Sequence, residues 1–161
     1  MKQIQKPCLI LLAARPGVGI KTFARLFAAD SIIDATGLGT AEIANKIRQL
    51  KSEENLQKQM IVLAQLGRML PGKKYGRPQI SDLRELDNVL PEVDTVWLLD
   101  RKFTRTQREE DKYSAELTLI NPQNGREKAI PMMFDPECKI FSGENSLTVQ
   151  SSAILSALLP K

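Results

Sequence analysis

Leu9-Ile10-Leu11-Leu12-Ala13 is an unbroken apolar run that ends at once in Ala14-Arg15-Pro16-Gly17-Val18-Gly19. It is too short for a membrane span or a signal peptide, and it lacks the polar alternation of a strand with one wet face. Such a run reads as a strand covered on both sides, the situation of a parallel sheet with helices on each face. After the turn, residues 21–29 place Phe23, Leu26 and Phe27 at helical spacing. Strand, glycine turn and helix in that order predict an α/β layout. Met60-Ile61-Val62-Leu63-Ala64 and Thr95-Val96-Trp97-Leu98-Leu99 are two more buried-type strands.

The remaining segments fill in around these three. Residues 31–39 are weakly patterned and hold Gly37 and Gly39, so they read as a loop. Thr40 is placed to cap a helix from about Ala41 to Lys58, with Ile43, Ile47 and Leu50 on one face. Leu66 to Val93 carries Gly67, Pro71, Gly72, Gly76, Pro78 and Pro91, and reads as a long loop with some helix. Residues 101–112, with Arg101, Lys102, Arg105 and Arg108 against Glu109, Glu110 and Asp111, read as a solvated loop. Asn124-Gly125 between Ala115–Ile120 and Ala129–Phe134 is a hairpin signal, and Pro131 makes the second arm an edge or a bulged strand. Lys139-Ile140-Phe141 adds a short last strand, and the tail ends in an apolar stretch from Ala153 to Leu159.

With 161 residues, one domain is expected, large enough to hold a core without disulfides. The chain has no histidine, which excludes imidazole catalysis and histidine-ligated metal. Cys8 and Cys138 have no CxxC spacing, so no zinc site is expected, only two reduced, packed thiols in a cytoplasmic protein. A net charge of +4 permits contact with polyanions without requiring it.

The glycine turn is where chemistry is most legible. A GxxxxGK[ST] loop wraps phosphates in backbone N–H groups, reaches the β- and γ-phosphates with its lysine, and holds the metal with its hydroxyl. Here Ile20 stands where the lysine belongs, and Lys21-Thr22 follow one residue late. One helical step turns a side chain by about 100°, so Lys21 is expected to point away from a phosphate in that cradle. Three readings stay open at this point. The turn can be structural only; it can bind nucleotide weakly without hydrolysis; or it can be stretched by one residue so that Lys21 and Thr22 become the working pair. The candidate nucleotide ligands are Arg15, Gly17, Gly19, Lys21 and Thr22.

Ala13-Ala14-Arg15-Pro16 with Gly19 and Thr22-Phe23-Ala24 resembles the loop of the DnaB-type hexameric replicative helicases, in their RecA-like C-terminal ATPase domain. Val62 to Arg68, Arg77-Pro78, Ser81 to Glu85 and Asp94 to Leu99 are similar to a second block of that family at matching spacing. Ala115-Glu116 through Asn124-Gly125 to Phe134, Pro136 and Phe141 resembles its C-terminal hairpin. The likeness covers residues 8–29 and about 42–141.

This resemblance implies a trimmed RecA-like P-loop fold over residues 1–143, with a mainly parallel central sheet and a C-terminal hairpin. Residues 144–161 form a tail outside it. It implies a link to DNA replication and ATP with Mg²⁺ as the ligand, weakly bound. It makes Gln65 a sensor-like residue at a strand end. It also places Arg68, Lys73, Lys74, Tyr75, Arg77 and Arg84 in a loop region that faces single-stranded DNA, where cations contact phosphates and Tyr75 stacks on a base. The partners it implies are single-stranded DNA, a replicative helicase subunit or further copies of the chain.

The loop lysine, the metal-organising acid, the catalytic base and the hairpin cations that the family uses on the triphosphate are expected to be lost. Ile20 replaces the loop lysine. Residues 29–40 are too short for the stretch that carries the catalytic glutamate and the metal-organising aspartate, and no strand ending in an acid is expected there. Asn121 and Gln123 stand where a lysine and an arginine reach a neighbouring subunit's nucleotide, with Arg126 nearby. The analogy also sets Leu9–Ala13 between Met60–Ala64 and Thr95–Leu99. Met60–Ala64 is then left as an exposed edge for the tail or another chain to cover. The expected function is that of a helicase relative that hydrolyses ATP poorly and acts through DNA or helicase contacts. The alternatives are an active helicase subunit using Lys21 and Thr22, or an inactive mobile-element remnant.

Overall fold

The computed structural model describes residues 8–26, 31–52, 59–67 and 76–143. β1 (Cys8–Ala14) runs into the glycine turn and α1 (Ile20–Ala24). Then come β2 (Ser31–Asp34), α2 (Thr40–Ser52) and β3 (Gln59–Gln65). Two 3-10 segments, Ile80–Leu86 and Leu90–Glu92, lead to β4 (Thr95–Asp100). α3 (Lys102–Thr106) and a 3-10 turn at Glu109–Asp111 precede β5 (Ser114–Ile120), β6 (Glu127–Asp135) and β7 (Ile140–Gly143).

The seven strands form one sheet in the order β2-β3-β1-β4-β5-β6-β7. β2, β3, β1 and β4 are parallel, and β5, β6 and β7 continue the sheet antiparallel. β1 sits between β3 and β4, as expected, with Leu12 opposite both Leu63 and Trp97. Its apolar run is unbroken because both faces are covered. Ile10, Leu12 and Ala14 join Phe23, Ile61, Trp97, Leu117 and Phe141 in one core. Leu9, Leu11 and Ala13 join Ile43, Ile47, Val62, Leu83, Leu90 and Leu98 in the other. The period of two along the strand sends alternate residues into different cores, so no position was free to be polar.

Several expectations need correction. The stretch read as a loop contains β2, a strand that ends in Asp34 and pairs with β3 from Ser31↔Met60 to Asp34↔Leu63. β3 is therefore not the exposed edge; β2 covers it. The first helix ends at Ala24, short of the predicted stretch to residue 29, whose last three residues lie outside the described residues. Thr40 is the first residue of α2, and its hydroxyl donates to Glu85 at 2.8 Å, so it ties the helix to the 80–86 segment.

The charged segment after β4 is a helical turn pinned to the sheet, not a free loop. Arg105 grips buried Asp100 at 2.7 Å, and Lys102 lies 3.4 Å from Asp111. Cys138 is exposed, not packed, in the turn that Asp135 caps through the N–H groups of Glu137 and Cys138. The side chain of Cys8 and the tail 144–161 lie outside the described residues.

The hairpin follows the sequence. Gly125 turns at φ 71°, and Asn121 accepts N–H bonds from Gln123 and Asn124 through its side chain. Pro131 is paired with Glu116 of β5 on one side, while β7 pairs with β6 only over Met132–Asp135. The proline's missing donor thus falls on a locally unpaired flank.

Candidate nucleotide-binding site

All four parallel strands point their carboxyl ends toward the glycine turn, the place where open α/β sheets hold ligands. A cavity of about 520 Å³ opens there. Gly17 and Gly19 carry φ of +83° and +99°, conformations that side chains rarely adopt, so the loop can curl back on itself only with glycine at these places. Ile20 is the first helical residue directly after Gly19. No extra residue separates the cradle from the helix, and the stretched turn is not the form the structure takes. The Ile20 side chain leans on the core that holds Phe23 and Phe141, with one flank on the cavity.

Lys21 does not leave the site altogether, as the helical step suggested. It lines the cavity, with its Nζ 3.0 Å from Asp34 Oδ2 at the end of β2. Asp34 Oδ1 accepts the N–H and the hydroxyl of Thr36. These contacts hold the carboxyl at about 2, below its ordinary 3.8; the Thr36 hydroxyl is the largest cause, then the Thr36 N–H, then Lys21. A carboxyl held below its unfolded value stabilises above pH 3.8, and that contribution fades as pH falls from there toward 2. Asp34 is exposed, so the energy involved is small. Titration of Asp34 followed by carbon NMR is expected to centre near pH 2, and both Thr36→Val and Lys21→Ala should raise that midpoint. A midpoint unmoved by either substitution would contradict this arrangement.

Thr22 is half-buried on the cavity wall. Arg15 lines the cavity too, but its guanidinium donates to the Gly76 carbonyl at 2.8 Å and lies 3.9 Å from Asp82, tying the loop to the 76–82 segment. Gln65 stands exposed at the end of β3, between this cavity and a second of about 430 Å³ that Arg84 and Thr40 also line.

Sequence reasoning missed Arg101, Phe134 and Lys139. Arg101 follows β4 and stacks its guanidinium 3.7 Å from the centre of the Phe134 ring. Burial lowers its pKa, and its Nε has no hydrogen-bond partner among the described residues. Its position just past a parallel strand was the available signal; its charged neighbours hid it. Lys139 reaches the cavity from the turn before β7.

The predicted DNA-facing set is only partly placed. Arg68, Lys73, Lys74 and Tyr75 lie outside the described residues. Arg77 is bound to Glu116 at 2.8 Å, a contact that raises its pKa, and Arg84 is exposed. Asp82 accepts the Gln79 N–H and Glu85 the Thr40 hydroxyl. Gln123 donates to the carbonyls of Pro91 and Val93, in the hairpin turn at the opposite end of the sheet from the cavity.

An Mg²⁺ ion in such a loop takes the hydroxyl that follows the lysine position and an aspartate from a neighbouring strand. Lys21 stands at the hydroxyl position, and both oxygens of Asp34 are engaged, one by Lys21 and one by Thr36. The donor set present does not fit the metal.

A parallel sheet with this strand order, a glycine turn after its central strand and an antiparallel extension defines a RecA-like ATPase-domain fold. The structure aligns with a separately solved ATPase domain at TM-score 0.60 and 16% identity, over 86% of this chain and 85% of that one. It aligns equally with a DnaB-like replicative helicase whose structure was determined with its primase interactions, at 0.60 and 16%, over 87% and 59%. The family model of the DnaB-like helicase C-terminal domain matches residues 35–143, and the chain belongs to that family. The chain is 31% identical to the replicative DNA helicase DnaB of Pasteurella multocida over 103 residues, 64% of this chain and 22% of that protein. For the Haemophilus influenzae DnaB the values are 29% over 119 residues, 74% and 25%. The chain thus spans about a quarter of the length of these curated relatives. Among the described residues no helix is long and apolar enough to cross a membrane.

Proposed function

We propose that this chain binds a nucleoside triphosphate weakly in the glycine-loop cavity, does not hydrolyse it efficiently, and serves DNA replication through contacts with single-stranded DNA or a replicative helicase subunit. The observation that carries the reading is Ile20 as the first helical residue after Gly19. The position from which an ammonium would meet the β- and γ-phosphates projects an aliphatic side chain instead. Each charge-assisted hydrogen bond missing there weakens ground-state binding by about 1.5–3 kcal/mol. The loss grows where charge develops in the transition state, by about 10²–10³ in rate for one donor at comparable sites.

The cavity itself supports binding. Its volume lies in the range of small-molecule sites, and the backbone of Gly17 and Gly19 is left uncovered by side chains of its own. Contact with DNA rests on the family membership and on exposed Arg84. Its phosphate contacts should make binding fall steeply with salt and depend little on sequence.

The test is ATP turnover by the purified chain with and without single-stranded DNA, beside a direct nucleotide-binding titration. Measurable binding with no turnover above the protein-free blank is expected. Brisk DNA-stimulated turnover that Lys21→Ala abolishes would instead establish the active-helicase reading.

A further inference from the structure

We infer that the cavity takes the polyphosphate of a nucleotide without a divalent cation, because the Lys21 ammonium, held on Asp34, occupies the cation's place. The inference rests on the reading that this cavity binds nucleotide at all, and it concerns the form in which the nucleotide enters.

Lys21 follows the lysine position by one residue, so it stands where a phosphate-binding loop of this pattern carries its metal-holding hydroxyl. Its Nζ is 3.0 Å from Asp34 Oδ2, and the other carboxylate oxygen serves the N–H and hydroxyl of Thr36. A divalent ion seeking Asp34 must displace the ammonium and would then face a like charge at close range. The ammonium has three N–H donors. Asp34 is the partner it has among the described residues, and the side chain is 59% exposed, so donors remain for an anion in the cavity.

The charge of the walls points the same way. Arg15, Lys21, Arg101 and Lys139 line the cavity, and no acidic residue among the described residues does. A conventional site balances a metal-complexed polyphosphate with few cations and supplies part of the positive charge as the ion. Here Arg101 and Lys139 add positive charge beside Lys21 and Arg15, which are paired with Asp34 and Asp82, and the uncomplexed polyphosphate, with its full negative charge, is the better match.

The experiment is a fluorescence titration of the full chain with mant-ATP, once in EDTA and once in excess MgCl₂. The expected result is binding in EDTA at least as tight as in MgCl₂. Lys21→Thr should reverse this, with affinity in EDTA down about tenfold, the order expected for one charge-assisted contact. It should also show a new gain on adding MgCl₂. Electron paramagnetic resonance with Mn²⁺ gives a second readout: immobilised Mn²⁺ with ATP is expected in Lys21→Thr and not in the parent chain. Residue 21 is exposed, and circular dichroism melts would confirm that the variant folds.

Three results would overturn the inference. Binding by the parent chain in MgCl₂ that EDTA abolishes would end it and leave the nucleotide-binding reading standing. Lys21→Thr binding in EDTA as tightly as the parent chain would also end it. Absence of mant-ATP binding in both buffers would bring down the nucleotide-binding reading itself, and this inference with it.

Discussion

Ile20→Lys is expected to tighten nucleoside triphosphate binding by about ten- to a hundredfold, the span set by restoring one charge-assisted contact of about 1.5–3 kcal/mol. The backbone already suits the change. Gly19 holds φ at +99° and the helix starts at residue 20, so a lysine there projects from the first helical position. Ile20 leans on the core through part of its surface only, and the methylene stem of lysine can keep much of that contact. The loss of folding stability should therefore stay near about 1 kcal/mol. Lys21, one residue on, is already neutralised by Asp34, which limits repulsion between the two ammonium groups. Turnover should rise far less than affinity, because the substitution adds no general base. Isothermal titration with ATP, beside a turnover assay, reads both numbers. Unchanged affinity in a folded Ile20→Lys protein would mean that the cradle is unable to receive phosphate for some reason beyond its missing lysine.

Arg105→Ala is expected to destabilise the fold by about 3 kcal/mol, because it strands a carboxylate that lies at 7% exposure. Arg105 approaches Asp100 with two nitrogens, Nη2 at 2.7 Å and Nε at 3.4 Å, and is itself only 16% exposed. For a chain of this length, such a loss lowers the melting temperature by about 6–12 °C. The pair ties α3 to the end of β4, and Arg101 sits between them on the Phe134 ring. Loosening α3 should thus weaken ligand binding in the cavity as well. Replacing both partners by apolar residues of similar size should recover most of the stability. A thermal melt of Arg105→Ala within about 2 °C of the parent would show that water reaches Asp100 and that the pair is marginal.

The buried strands were readable because their environment is uniform. An interior position of β1, β3 or β4 meets a core on either face, so the requirement for an apolar residue is written into Leu9–Ala13, Met60–Ala64 and Val96–Leu99. The hairpin was readable for a local reason, since Asn121, Asn124 and Gly125 close it with their own bonds. β2 was missed because nothing local marks it. It has four residues, it lies at the edge with Ile32 exposed, and its hydrogen bonds go to β3, a strand beyond the whole of α2. Missing β2 hid Asp34, and without Asp34 the lysine at 21 looked merely misplaced. Arg101 was obscured in the same way by a charged segment whose ion pairs with Asp100 and Asp111 become visible only once the chain is folded.

Residue order alone established the α/β character, the doubly covered nature of Leu9–Ala13 and the substitution of isoleucine at the lysine position of the loop. Those follow from periodicity and from fixed spacing within a single turn, which a linear chain carries in full. The meeting of Lys21 with Asp34, the stacking of Arg101 on Phe134 and the covering of β3 by β2 were decided by the fold. Each joins groups from separate elements. Their contact depends on how strands are ordered in the sheet, and no local pattern of side chains encodes that order.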